Sequence, residues 1–543
     1  MHLLTYSALC TTIPVALIAG RFAQPARNAS QPHSDKFHFL ARKSKHFAVD
    51  GKSVPDIDFD LGESYAGSLP ISSDPHETRK LFFWFFPSIA HEVPNEVMSW
   101  FQGGPGCSSL GGLISENGPF TWLPGTYKPL RNSYDWRNLT NVLWVEQPVG
   151  VGFTEGASNI TNEEELAQQY VGFYRQFVET FDLKGWDVYL NGESYAGYYI
   201  PYVANEFIKT NDSDMPLKGI ALSDVLIGDG TLQLSMPVQP FVEYWWNVLG
   251  LNETFLNAFA ARQDRCGFST YLNTYLKFPP PQWPFAQPRY TAETNNGSCD
   301  THTAAEAALF KVNPCFNAYH ITDYCPRLWT VLGPINDDFE PAPKTIYFNR
   351  PDVKRAIHAP LDKDWTACAS TPSKANSVFQ GHNHNTTGED QSLPPAQTDI
   401  LKRVIEHTNN VIIGSGGLDF LVPTNGTLLV LQNTTWNGKQ GFELYPDNEF
   451  YVPSLPIYNL GSEAGSGLLG TWGTERGLTF YEVRLSGHEI PQYAPGAAFR
   501  VMQLLLGGID ILDDRGGFTS MDVNGTALQR RTRLEPMCNL ERQ

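Results

Sequence analysis

Trp186-Asp-Val-Tyr-Leu-Asn-Gly-Glu-Ser-Tyr-Ala-Gly-Tyr-Tyr-Ile-Pro-Tyr-Val-Ala-Asn-Glu-Phe-Ile-Lys209 is the stretch on which the architecture turns. Trp186–Asn191 is a short apolar run ending at a glycine, the pattern of a buried strand. Tyr198–Lys209 spaces its apolar residues at helical intervals. Between them, Gly192-Glu-Ser-Tyr-Ala-Gly197 fits G-x-S-x-G, in which a serine sits on a strained strand-to-helix turn with its hydroxyl in a cleft. The same hexapeptide occurs at Gly62–Gly67. That copy follows the acidic, alternating Asp56-Ile-Asp-Phe-Asp60 and precedes Leu69-Pro-Ile-Ser72, which cannot start a helix cleanly. The flanks assign the reactive role to Ser194 and make Ser64 a surface turn.

Working outward, Leu81–Phe86, Val97–Phe101, Asn141–Val145 and Lys218–Ile227 read as apolar strands, and Glu163–Phe181 as an amphipathic helix through Leu166, Tyr170, Phe173 and Phe177. Helix and strand resume over Leu401–Ile413, and Pro495–Leu506 forms a last helix. This alternation predicts an α/β chain with a mostly parallel central sheet and helices on both faces. From 229 to 346 the rhythm fails in an aromatic, Pro-rich stretch holding four cysteines, which reads as an inserted, disulfide-bonded cap over the carboxyl edge of the sheet. The core then comprises 46–228 and 347–515, with a tail over 516–543.

The apolar run Leu3–Ala19 is too short and interrupted to span a bilayer and suits a signal peptide over 1–20. Residues 21–45, polar and basic, resemble a pro-segment or mobile arm. Sequons at Asn28, Asn138, Asn159, Asn211, Asn252, Asn296, Asn385, Asn425, Asn433 and Asn524 favour secretory passage, to the extracellular space or a vacuole. Formal charge is −18, which argues against nucleic acid or an anionic membrane as partner. Nothing in the pattern sets an oligomeric state. Of 8 cysteines, Cys10 leaves with the signal peptide, and Cys538, beyond the dibasic Arg530-Arg531, is the expected odd one out. The rest contain no C-x-x-C pair, so disulfides are expected rather than zinc. His382-Asn-His384, flanked by Asn and Gly, reads as a solvated loop, not a metal site.

A serine nucleophile of this kind requires an acid and then a histidine, in that chain order, past later strands. Asn410-Val-Ile-Ile-Gly-Ser-Gly-Gly-Leu-Asp419 supplies Asp419 beyond a strand and a Gly-rich turn, and Leu478-Thr-Phe-Tyr-Glu-Val-Arg-Leu-Ser-Gly-His488 supplies His488. His488 would take the Ser194 proton and Asp419 orient the imidazole. An oxyanion needs backbone donors; Tyr195, next to the nucleophile, and Gly104 in Gly103-Gly-Pro-Gly-Cys107 are the candidates. The triad needs no cofactor.

Trp100-Phe-Gln-Gly-Gly-Pro-Gly-Cys-Ser-Ser109, Glu146-Gln-Pro-Val-Gly-Val-Gly-Phe153, Gly192-Glu-Ser-Tyr-Ala-Gly197, Tyr347-Phe-Asn-Arg-Pro-Asp-Val353 and Gly487-His488 resemble the signatures of serine carboxypeptidases. The resemblance runs in order from about Phe47 to Leu506. It implies an α/β-hydrolase fold and an exopeptidase that releases the C-terminal residue of peptides and proteins at acid pH through an acyl-enzyme. It also implies that Gln102, Glu116 and Glu193 bind the substrate carboxylate, two close carboxyls sharing a proton. The family's asparagine is Gln102 here, and its acidic residue two before the triad aspartate is Gly417. The resemblance implies a Cys107–Cys368 disulfide; within the cap, nested Cys266–Cys325 and Cys299–Cys315 pairs are expected. Glu489, beside the histidine, falls near the leaving residue, where it favours basic or polar side chains or faces solvent. Rival readings are an acyltransferase or esterase on the same triad, and a catalytically silent peptide-binding protein. The Glu116/Glu193 pair counts against the first and the intact triad against the second.

Overall fold

The computed structural model describes residues 37–90, 93–286, 299–333, 345–369, 378–380, 387–454 and 465–516. The strands of its main sheet are Ala48–Val49 (β1), Ser64–Pro70 (β2), Lys80–Phe86 (β3), Glu96–Phe101 (β4), Asn141–Glu146 (β5), Asp187–Glu193 (β6), Leu217–Ser223 (β7), Val411–Gly416 (β8), Asn448–Val452 (β9), Gly467–Glu475 (β10) and Leu478–Val483 (β11). They form one 11-stranded sheet in the order β1-β2-β3-β5-β4-β6-β7-β8-β11-β10-β9. From β5 across to β11 neighbours run parallel. Both flanks are antiparallel. β4 and β5 are buried along their whole length, as strands covered on both faces must be.

Glu163–Phe181 (α1) has the bounds its periodicity gives. Asn162 caps it by accepting from the Glu165 N–H, and three glutamates in the first turn suit the helix dipole. Phe177 meets Phe83 and Phe85 edge-on at 5.7 and 5.1 Å. With Ala196–Thr210 (α2), α1 covers one face of the sheet. Pro495–Leu505 (α3) packs on the other, with Phe499 and Met502 in the same apolar cluster as Trp100, Trp144 and Tyr481. The strand expected over Lys218–Ile227 stops at Ser223, because Asp224 takes a left-handed turn at φ +48°.

Three expectations need correcting. Ser64 is no surface turn: it is fully buried at the start of β2, opposite Val49, and its hydroxyl accepts from the Trp84 indole at 3.2 Å. The buried Trp84 and Phe85 demanded an apolar partner strand, and Ala66 and Tyr65, directly opposite them, supply it. Packing also begins before residue 45, since Phe39 meets Phe85 and Trp186 at 5.5 and 5.7 Å. In the stretch 229–346 the bridges are Cys266–Cys299 and Cys315–Cys325, not Cys266–Cys325 and Cys299–Cys315. Cys266 closes the helix Glu253–Arg265, and Cys299 opens the helix Thr301–Val312. These helix ends meet where Arg262 donates to the Asp300 carbonyl at 3.2 Å, so the bridge follows a tertiary contact that spacing does not record. Cys107–Cys368 is present. The signal segment, His382, His384, Arg530, Arg531 and Cys538 lie outside the described residues.

Candidate active site

Ser194 stands between β6 and α2 with φ +62°, a conformation rare for a residue with a Cβ and held only where its surroundings enforce it. The Ser194 N–H donates to the Ser223 carbonyl, and the Ser194 carbonyl accepts from the Leu226 N–H, both at 3.1 Å. The end of β7 thus grips the turn on both sides. A Cβ on Gly197 would lie 2.3 Å from the Leu226 carbonyl oxygen, which is why the motif needs glycine there. In the identical residues at Gly62–Gly67 the chain instead enters an extended strand at Ser64.

Asp419 and His488 come from loops beyond β8 and β11. The His488 Nδ1–H donates to Asp419 Oδ2 at 2.7 Å, with both side chains at most 1% exposed. Asp419 Oδ1 accepts from the Leu421 N–H at 2.8 Å. With Nδ1 bound to the carboxylate, Nε2 carries the lone pair. It is buried and makes no hydrogen bond. Residues 318–321 clamp both loops, a role that composition gave no sign of. Tyr319 accepts from the His488 N–H at 2.8 Å through its carbonyl and sets its ring edge-on to the imidazole at 4.8 Å. The Ala318 carbonyl accepts from Phe420 and Leu421, and Leu418 from Ile321. Leu418 and Phe420, on either side of Asp419, belong to the apolar cluster of Val238, Leu309 and Phe316.

The Gly103–Cys107 loop lies directly against Ser194. A Cβ on Gly103 would fall 2.5 Å from the Tyr195 nitrogen and 2.7 Å from the Ser194 Cβ. The loop is fastened by Cys107–Cys368 and by the Gly106 N–H donating to Tyr199 Oη at 2.8 Å. Beneath it Glu146 is fully buried, accepting from Ser108, the Phe153 N–H and the Trp365 indole. Burial still pushes its carboxyl up to about 7.

Gln102, Glu116 and Glu193 converge. The Gln102 amide donates to Glu193 Oε1 at 2.5 Å, and the Trp100 indole fixes its orientation by donating to Gln102 Oε1 at 3.1 Å. Glu116 and Glu193 are almost completely buried, and each keeps one oxygen without a hydrogen-bond partner. Burial holds both carboxyls well above the usual range; Glu193 is raised further by the neighbouring Glu116 and Glu489. Such neighbours cannot all be ionised. Glu489 is itself raised, chiefly by burial. Sequence reasoning left Glu489 between pocket and solvent; the structure brings it within electrostatic reach of the pair.

Three further carboxyls escaped the sequence. Asp390 accepts from Tyr195 Oη at 2.8 Å and is paired with the buried Glu163, whose carboxyl burial holds well above its usual range. Asp224 lies against Asp419, and burial foremost, then that neighbour, holds it well above its usual range. Asp224 and Asp390 lie in loops and Glu163 at a helix start, places where an acidic residue is ordinarily solvated, so no local pattern picks any of them out.

The serine carboxypeptidase family profile matches residues 55–508. A probable serine carboxypeptidase of Arthroderma benhamiae is 43% identical, over 87% of this chain and 88% of that one. Serine-type carboxypeptidase F of Aspergillus niger is 41% identical, over 93% of this chain and 97% of that one. In fold the chain is similar to Kex1(delta)p, a prohormone-processing carboxypeptidase from Saccharomyces cerevisiae: TM-score 0.64, 20% identity, 87% of this chain and 98% of that one. With the sheet order, the strained serine and the Asp–His contact in place, this extent of identity makes the chain a member of the serine carboxypeptidase family, a serine-type exopeptidase.

Proposed function

We propose that the enzyme works in acid through an acyl-enzyme on Ser194, and that it takes peptide and protein C-termini. The observation that carries this is the buried Asp419–His488 contact, with Nε2 free, in the same region as the Gln102–Glu193–Glu116 cluster. Ser194 Oγ adds to the carbonyl carbon of the last peptide bond as His488 Nε2 takes its proton, and Asp419 stabilises the imidazolium. The Gly104 and Tyr195 N–H groups receive the oxyanion. Collapse breaks the C–N bond, His488 returns the proton to the leaving amine, and water then hydrolyses the ester by the same route.

Recognition of the terminal carboxylate falls to Gln102, Glu116 and Glu193. A protonated carboxyl donates to a carboxylate, whereas an ionised one repels it. Their raised proton affinity therefore supports an acid enzyme and a carboxylate-bearing substrate over an ester or acyl acceptor. Glu489 forms a wall of the leaving-residue pocket and favours polar or basic residues. The stretch 229–346 acts as the cap, and the disulfides and sequons support the secretory route, to the cell exterior or a vacuole. A fluorophosphonate should label the parent protein and leave Ser194→Ala unlabelled; label persisting in that variant would contradict the assignment.

A further inference from the structure

Two residues before the triad aspartate stands Gly417, and a Cβ at that position would fall 2.6 Å from the Arg484 carbonyl oxygen. A carboxyl reaches the same loop from another direction. Asp224, at the end of β7, is fully buried in a left-handed conformation, with its N–H donating to the Gly414 carbonyl at 2.9 Å. Its Oδ1 accepts from the Gly416 N–H at 2.6 Å, and its Oδ2 is buried with no N–H or O–H partner. Gly416 also ties it to the triad loop, its carbonyl accepting from the Asp419 N–H at 3.1 Å, and the Asp419 carboxyl is near enough to raise the proton affinity of Asp224. The adjacent Ser223 holds the backbone of Ser194, so one strand end touches both the nucleophile turn and the triad acid.

We propose that Asp224 is a positioning residue of the triad: as a neutral carboxylic acid it donates its O–H from Oδ2 to the Asp419 carboxylate. The proposal rests on the triad reading above. Two carboxylates in contact away from water would repel, and a shared proton removes the conflict. Burial and Asp419 hold the Asp224 carboxyl well above its usual range, as sharing requires. The groups facing it are consistent with a neutral acid. They are Glu193 from β6, Ser415 from β8, Asp419 beyond β8, and Tyr481 from β11; His488, the nearby base, is already engaged by Asp419. The donated hydrogen bond fixes the Asp419 plane and draws off part of its charge, so that imidazolium is not over-stabilised when the enzyme works in acid.

The test uses the full-length enzyme and a blocked ester without a free carboxylate, which removes the contribution of Glu116 and Glu193. Asp224→Asn keeps a donor toward Asp419 and an acceptor for Gly416. It should hold kcat/KM within about threefold and carry activity to higher pH than the parent, because an amide does not ionise. Asp224→Ala should lower kcat by roughly tenfold or more with KM little changed, and move the acid limb of the profile upward. Thermal midpoints of both variants report whether they fold. Parent-like kcat and pH limbs in Asp224→Ala, or an Asp224→Asn as impaired as Asp224→Ala while still folded, would overturn the proposal. His488→Ala serves as control: if it stays active, the triad reading itself has failed.

Discussion

A carboxyl that is to bind a carboxylate must keep its own proton, and Glu193 is surrounded so that losing it is costly. Burial comes first, then Glu116 and Glu489, while Gln102 can stabilise only one of its oxygens. Below their raised proton affinities Glu116 and Glu193 donate; as pH climbs through that range they ionise, and KM for free-acid substrates should climb with it. The double variant Glu116→Gln/Glu193→Gln should flatten that dependence, measured as KM against pH. Glu193→Ala should raise KM roughly tenfold or more in acid, the cost of one charge-assisted hydrogen bond. A KM that falls as pH rises in the parent would contradict this reading. At this scale the sequence revealed residues that sit in motifs: Ser194, Gln102 and Glu193 each lie in a patterned block. Asp224 and Glu163 are buried only because distant segments cover them, and no window of sequence carries that information.

Elements show why two copies of one hexapeptide differ. Both have the same six residues, yet β2 extends through its copy while β6 ends within the other. The deciding contacts, from Ser223 and Leu226, are long-range. Flanking apolar periodicity was enough to place a strand and a helix around Ser194, but not to see that the copy at Ser64 is a core strand. The stretch 229–346 was legible as an interruption and not as a clamp. The short Cys315–Cys325 loop contains Ala318, Tyr319 and Ile321, which hold both triad loops. Replacing both cysteines by serine should cost about 3 kcal/mol, the scale for closing a small loop. It should lower kcat more than KM, because His488 and Asp419 lose their shared support. Steady-state kinetics with denaturant unfolding would check both; a loss confined to stability would show that the clamp is not felt at the triad.

At the scale of the whole molecule, buried carboxyls dominate the response to pH. Glu116, Glu146, Glu163, Glu193 and Asp224 all have folded-state proton affinities above their unfolded ones. Between those limits the native state holds more protons, so stability is full below about pH 4 and falls as pH rises toward the folded values. Glu146, at about 7, accounts for roughly 3 kcal/mol of that loss by pH 7. The pairs Lys128–Asp58 and Arg350–Asp352 act in the opposite sense, but they are exposed and screened. The thermal midpoint should therefore be higher near pH 4.5 than near pH 7.5, and Glu146→Gln should shrink the difference; a midpoint rising with pH would refute it. Carboxylate recognition is tested by comparing cleavage of a blocked dipeptide with that of its C-terminal amide from acid to neutral pH. Strong preference for the free carboxylate is expected in acid, fading as Glu116 and Glu193 ionise. Equal cleavage of both at every pH, or a preference that grows as pH rises, would contradict it.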